Sequence, residues 1–162
     1  MRITTKGRYA LRALINLAAT SQGRPKPIKA IAKEENISPE FLEQIFFKLK
    51  KADLINSVRG PGGGFMIHRD PATISVKAIF LAVEEGLDLT PCTPCIPCDD
   101  SEGENLRNGA DPCSNTDQCV ARSVWKTISD QIIRYLESIT LATILEENQE
   151  QLQSLLDQSR PD

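Results

Sequence analysis

The chain has 162 residues, 40% of them hydrophobic and 25% charged, which suits one globular domain, or one small domain with an appendage. The opening MRITTKGRYALRAL has no apolar signal core followed by a cleavage site, and no apolar run approaches the roughly 18–20 residues of a membrane span. A cytoplasmic protein without membrane contact is therefore expected.

The net charge of −3 conceals an asymmetry. Residues 1–70 carry 13 Lys and Arg against 6 Asp and Glu, a balance of +7, while residues 71–162 carry 6 against 16, a balance of −10. A basic first half on an acidic chain points to a polyanion as its partner.

In chain order, TTKGRYALRALINLAATSQ opens with threonines suited to capping a helix and places Leu11, Leu14, Ile15 and Ala18 at helical spacing. Gly23 and Pro25 end this first helix. PIKAIAKEENIS predicts a short second helix with Pro27 at its first position. Ser38 and Pro39, a cap followed by proline, open a third helix whose apolar stripe is Leu42, Ile45, Phe46 and Leu49. Its polar side carries Glu40, Glu43, Gln44 and Lys48.

INSV and FMIH then read as two short strands joined by RGPGGG. A nucleotide-binding phosphate loop needs a Lys-Ser/Thr and a helix after its glycines. Phe65 and a strand follow here, so a wing tip led by Arg59 and Gly60 is the better account. Three helices and a hairpin make a mainly α fold with a small β-hairpin, the order of a winged helix-turn-helix. Its third helix would enter the major groove of double-stranded DNA, with Ser38, Glu40, Glu43 and Gln44 near base edges. Lys6, Arg8, Lys50 and Lys51 are candidates for phosphate contacts.

SVKAIFLAVEEG predicts another helix, which runs into PCTPCIPCDDSEGENLRNGADPCSNTDQC. All five cysteines lie there: Cys92, Cys95, Cys98, Cys113 and Cys119. A disulfide staple, a metal or iron–sulfur site and a redox-sensing thiol set all remain open. The odd number and an expected reducing compartment weigh against the staple. Beyond the loop, Trp125, Ile128, Ile132, Tyr135 and Ile139 form one face of a long helix, suited to pairing with a second copy in a homodimer on two DNA half-sites. A single final helix is expected over TLATILEENQEQLQSLLDQSRPD. The division is thus a DNA-binding domain over 1–70, a connecting helix over 71–91, a cysteine-rich loop over 92–119, and dimerisation and C-terminal helices over 120–162. No enzyme is expected, because the one histidine, His68, reads as wing structure and no nucleophile–base constellation is evident.

The blocks MRITTKGRYALRAL, ISPEFLEQIFFKLKKADLINSVRGPGGGF, ISVKAIFLAVEEGLDLTPC and LESITLATIL occur in an order and spacing that resemble the IscR-like iron–sulfur transcriptional regulators of the bacterial Rrf-two winged-helix family. The resemblance spans Met1 to about Glu147. It implies that Cys92, Cys113 and Cys119 ligate an iron–sulfur cluster of the [2Fe–2S] type. It also implies that Glu43 tells cluster-dependent from cluster-independent DNA sites.

Three departures stand out. The loop is longer than usual and adds Cys95 and Cys98; Arg122 occupies the family's histidine-ligand position; and Arg8 stands where some relatives have an acidic ligand. Cys95 and Cys98 are then the candidates for a fourth ligand. The alternative is a zinc- or thiol/disulfide-switch regulator of the same fold, built on the two CxxC pairs that share Cys95.

Overall fold

The computed structural model describes residues 3–21, 23–90 and 118–158, with 154–158 described by backbone alone. Cys92, Cys95, Cys98 and Cys113 lie outside the described residues. The element order is α1 (Thr5–Thr20), α2 (Ile28–Glu35), α3 (Pro39–Lys51), β1 (Ile55–Val58), β2 (Gly64–Ile67), a short 3-10 turn (Pro71–Thr73), α4 (Val76–Ala82), α5 (Val120–Ser138), α6 (Leu141–Glu147) and α7 (Gln149–Gln158).

Local chemistry explains most boundaries. Asn36 ends α2 in the left-handed conformation at φ 54°, which its short polar side chain tolerates. Two residues later the Ser38 hydroxyl accepts from the Phe41 N–H at 3.3 Å, with Pro39 as the first residue of α3. This tight α2–α3 connection is the turn of a helix-turn-helix. At α4, the Ser75 hydroxyl accepts from the Ala78 N–H at 3.1 Å.

The expected α3 stripe is buried in full: Leu42, Ile45, Phe46 and Leu49 all enter the core. Phe46 meets Phe65 edge to face, with ring centroids 5.0 Å apart, and so joins α3 to the hairpin. In α1 the buried side is turned from the expected one. Ala10, Ala13, Leu14 and Leu17 are fully buried, whereas Leu11, Ile15 and Ala18 pack at the margin. Small side chains allow the close helix approach, so size outranked hydrophobicity in choosing that face.

β1 and β2 pair antiparallel, with Ile55 opposite Ile67 and Val58 opposite Gly64. Lys26, between α1 and α2, adds a bridge to Phe65 through two reciprocal backbone hydrogen bonds of 2.8 Å. A Cβ on Gly64 would lie 2.2 Å from the Lys26 carbonyl oxygen, so glycine alone fits there.

After α5 the chain returns to the winged unit. The Val76 N–H donates to the Ile139 carbonyl at 2.9 Å, and the Leu141 N–H donates to the Ile74 carbonyl at 2.8 Å. Leu141 is fully buried in the common core. The single final helix expected from the sequence is divided at Asn148 into α6 and α7. The Asn148 side-chain amide donates to the Ile144 carbonyl at 2.8 Å, and such local bonding competes with helix continuation.

Candidate nucleic-acid interface

The stripe that buries one side of α3 turns Ser38, Glu40, Glu43, Gln44, Lys50 and Lys51 outward, and each is exposed. Phe47 stands among them at 70% exposure. Lys48, expected on the same polar side, is drawn off it: its ammonium is ion-paired and hydrogen-bonded to Glu84. Glu84 follows α4 and has φ 58°. The hydrogen bond from Lys48 is the main cause holding the Glu84 carboxyl below its ordinary value. Partial desolvation opposes it, and the charges of Lys48, Lys6 and Lys51 assist. The start of α1 and the second half of α3 therefore converge on one carboxylate.

Lys50 donates to the Ser57 hydroxyl at 2.6 Å, tying the end of α3 to β1 two residues before Arg59. Arg59 and Gly60 are exposed at the wing tip. Gly60 and Gly62 have φ of 104° and 76°, and the Gly63 N–H closes the turn on the Gly60 carbonyl at 2.9 Å. These positive angles are the conformations glycine supplies without strain. Lys6 is half-buried, while Arg8 is exposed and donates to the Thr5 hydroxyl at 3.3 Å. His68 sits at the wing base, with Nδ1 2.7 Å from the Asn56 amide and Nε2 3.5 Å from Asp53.

A buried carboxylate escaped the sequence reading. Glu85 is 3% exposed. It accepts from the Thr4 N–H at 2.7 Å, the Thr4 hydroxyl at 2.6 Å and the Gly7 N–H at 3.0 Å. The threonine start of α1 is thus capped from 81 residues away, with no side-chain cap from Thr4 itself. An anion at a helix N-terminus satisfies free N–H groups and complements the helix dipole. The one available signal was the acidic doublet at the end of α4.

Of the predicted cluster ligands, Cys119 alone is described. It is exposed, carries a free thiol and occupies the N-cap of α5 without making a side-chain capping bond. Among the described residues no group of three or more His, Cys, Asp or Glu side chains converges on a metal position. No helix among them is long and apolar enough to cross a membrane.

A helix-turn-helix whose second helix presents an open polar face, joined to a glycine-tipped hairpin, defines a winged-helix transcriptional regulator that binds DNA. Residues 3–147 match the Rrf2 family model, described as an iron-dependent transcriptional regulator, and the chain belongs to that family. The HTH-type transcriptional regulator IscR of Yersinia enterocolitica is 37% identical over 145 residues, which cover 90% of this chain and 79% of the relative. CymR, described as the global cysteine regulator of B. subtilis, superposes with TM-score 0.67 and 28% identity over 91% of this chain and 98% of its own. IscR of T. potens does so with TM-score 0.66 and 30% identity, over 93% and 90%. These relatives are regulators, not enzymes.

Proposed function

We propose that the protein is a homodimeric, cytoplasmic regulator that binds palindrome-like operator DNA and senses iron–sulfur or redox status through a [2Fe–2S] cluster. The observation that carries this reading is the confinement of all five thiols to residues 92–119, between α4 and α5. The donor set fits the group: every candidate is a cysteine, and Cys119 offers an exposed, free thiol at the start of α5. Thiolate is the usual protein ligand of iron–sulfur clusters. Cys92, Cys113 and Cys119 would hold it, with Cys95 or Cys98 as the fourth ligand. When bound, it would supply a redox-active centre held by those cysteines.

The protein's own residues supply the route to DNA. Glu84 and Glu85 stand eight and seven residues before Cys92. One holds Lys48 on α3 and the other holds the start of α1. Ordering the loop would act on both attachments, and so bias the dimer between DNA-competent and DNA-incompetent arrangements. Dimerisation is supported by the exposure of Val120, Val124, Trp125, Ile128 and Tyr135 along α5.

A second reading is a zinc- or thiol/disulfide-switch regulator, and the likeness to an oxidized form of Staphylococcus aureus CymR favours its thiol/disulfide arm. Anaerobic purification separates the two. Visible absorbance with equal iron and sulfide supports the first, and a colourless, zinc-containing or thiol-switched protein supports the second. In the first case, alanine at Cys92, Cys113 or Cys119 abolishes the native cluster, and of Cys95 and Cys98 only the fourth ligand changes the spectrum. A native cluster and native cluster-dependent DNA affinity in Cys113→Ala or Cys119→Ala would overturn it.

A further inference from the structure

Among the described residues, no packing role accounts for the identity of Phe47. The α3 stripe buries its neighbour Phe46 completely and leaves Phe47 70% exposed. It lies four residues after Glu43 and three after Gln44, so it occupies the next helical turn on the same face, between their two rows. Lys51, four residues further, is exposed on that face as well. The surroundings are thus those of the proposed base-reading surface, where two polar side chains precede a large apolar one and a cation follows.

In the major groove the one apolar group that a base pair presents is the C5-methyl of thymine. A phenyl ring can neither donate to nor accept from base edges, and burial against a methyl is the favourable contact left to it. One helical turn advances about 5.4 Å, roughly one to two base pairs at 3.4 Å each. We propose that Phe47 is a specificity-determining residue that reads a thymine methyl one to two base pairs from the positions reached by Glu43 and Gln44. The inference rests on α3 being the DNA-reading helix.

The test uses the full-length protein and an operator selected from random duplexes. Each thymine is replaced in turn by deoxyuridine, which deletes the methyl and keeps every hydrogen-bonding group. Wild type should lose affinity at one thymine per half-site by roughly fourfold, the factor for one buried methyl-sized group. Phe47→Ala should bind the thymine operator with that reduced affinity and show no further loss on the uracil operator. Its exposure makes the substitution safe for folding, which a thermal melt checks, and Phe47→Leu should restore part of the discrimination.

An unchanged thymine-to-uracil ratio in Phe47→Ala overturns the inference. So does a change in sedimentation without DNA, which would assign Phe47 to a protein contact. If Glu43→Ala and Gln44→Ala also leave sequence discrimination intact, the reading of α3 falls with it. If those two lose discrimination while the uracil series is flat, only Phe47 is removed.

Discussion

A methyl group does not fit between Gly7 and Glu85: a Cβ on Gly7 would stand 2.6 Å from the Glu85 Oε2 that its own N–H binds at 3.0 Å. Gly7→Ala should destabilise the fold by about 1–3 kcal/mol through overpacking. Glu85→Ala should cost about 1–3 kcal/mol by leaving buried donors unpaired. The double variant should be more stable than the sum of the two losses, because removing the carboxylate makes room for the methyl. Urea unfolding of the four proteins measures this, and simple additivity would mean that the two residues are not in contact.

The Glu84–Lys48 pair gives stability a pH dependence. The folded carboxyl titrates below its ordinary value of 4.5, chiefly because Lys48 donates to it. The contribution is therefore present above the unfolded carboxyl value and is lost as pH falls through the lower, folded one. Glu84 is 57% exposed in this pair, so the effect should stay within about 1 kcal/mol. Wild type should exceed Glu84→Gln in stability near neutrality and meet it well below pH 4.5. Parallel curves across that range would discard the pair as a stabilising contact.

Phosphate contact and sequence reading should separate by position. Lys51→Ala should weaken all duplexes alike and lower the salt slope of binding by about one unit. Lys6→Ala and Arg8→Ala should do the same, while Lys50→Ala also loses the bond to Ser57. Arg59→Ala should cost about 1–3 kcal/mol, with the greater part on the specific operator. Equal losses on operator and random DNA would refute the wing's part in specificity.

Glu43 is exposed on α3, and a glutamate accepts from cytosine N4. Beside phosphate it is unfavourable, so it can reject sites as well as select them. Binding of Glu43→Ala to a panel of duplexes, with and without the proposed cluster, should show relaxed discrimination. An unaltered ranking of sites would take Glu43 out of recognition.

The exposed side of α5 is the surface on which the proposed dimer would close. Trp125 and Ile128 are 42% and 37% exposed, three residues apart on one helix face. Trp125→Asp or Ile128→Asp should shift the proposed dimer towards monomer in sedimentation equilibrium and weaken operator binding in parallel. A wild-type protein that sediments as a monomer, or variants that stay dimeric, would exclude this face as the dimer seam.

Signals that act within four residues were legible in the sequence. The Ser38–Pro39 start, the 42/45/46/49 stripe and the glycine turn after Arg59 each express a cap, a period or a positive φ, and they determined the winged helix. The clustering of thiols and the opposed charges of the two halves also stand in one dimension. The tertiary structure alone decided which carboxylate caps α1, which cation leaves the open face of α3 and where Lys26 joins the wing. It also decided that Ala10 and Ala13 lie inward while Phe47 stays out. These depend on which surfaces meet in three dimensions and how closely they approach. Helical periodicity carries no record of a contact made 81 residues away.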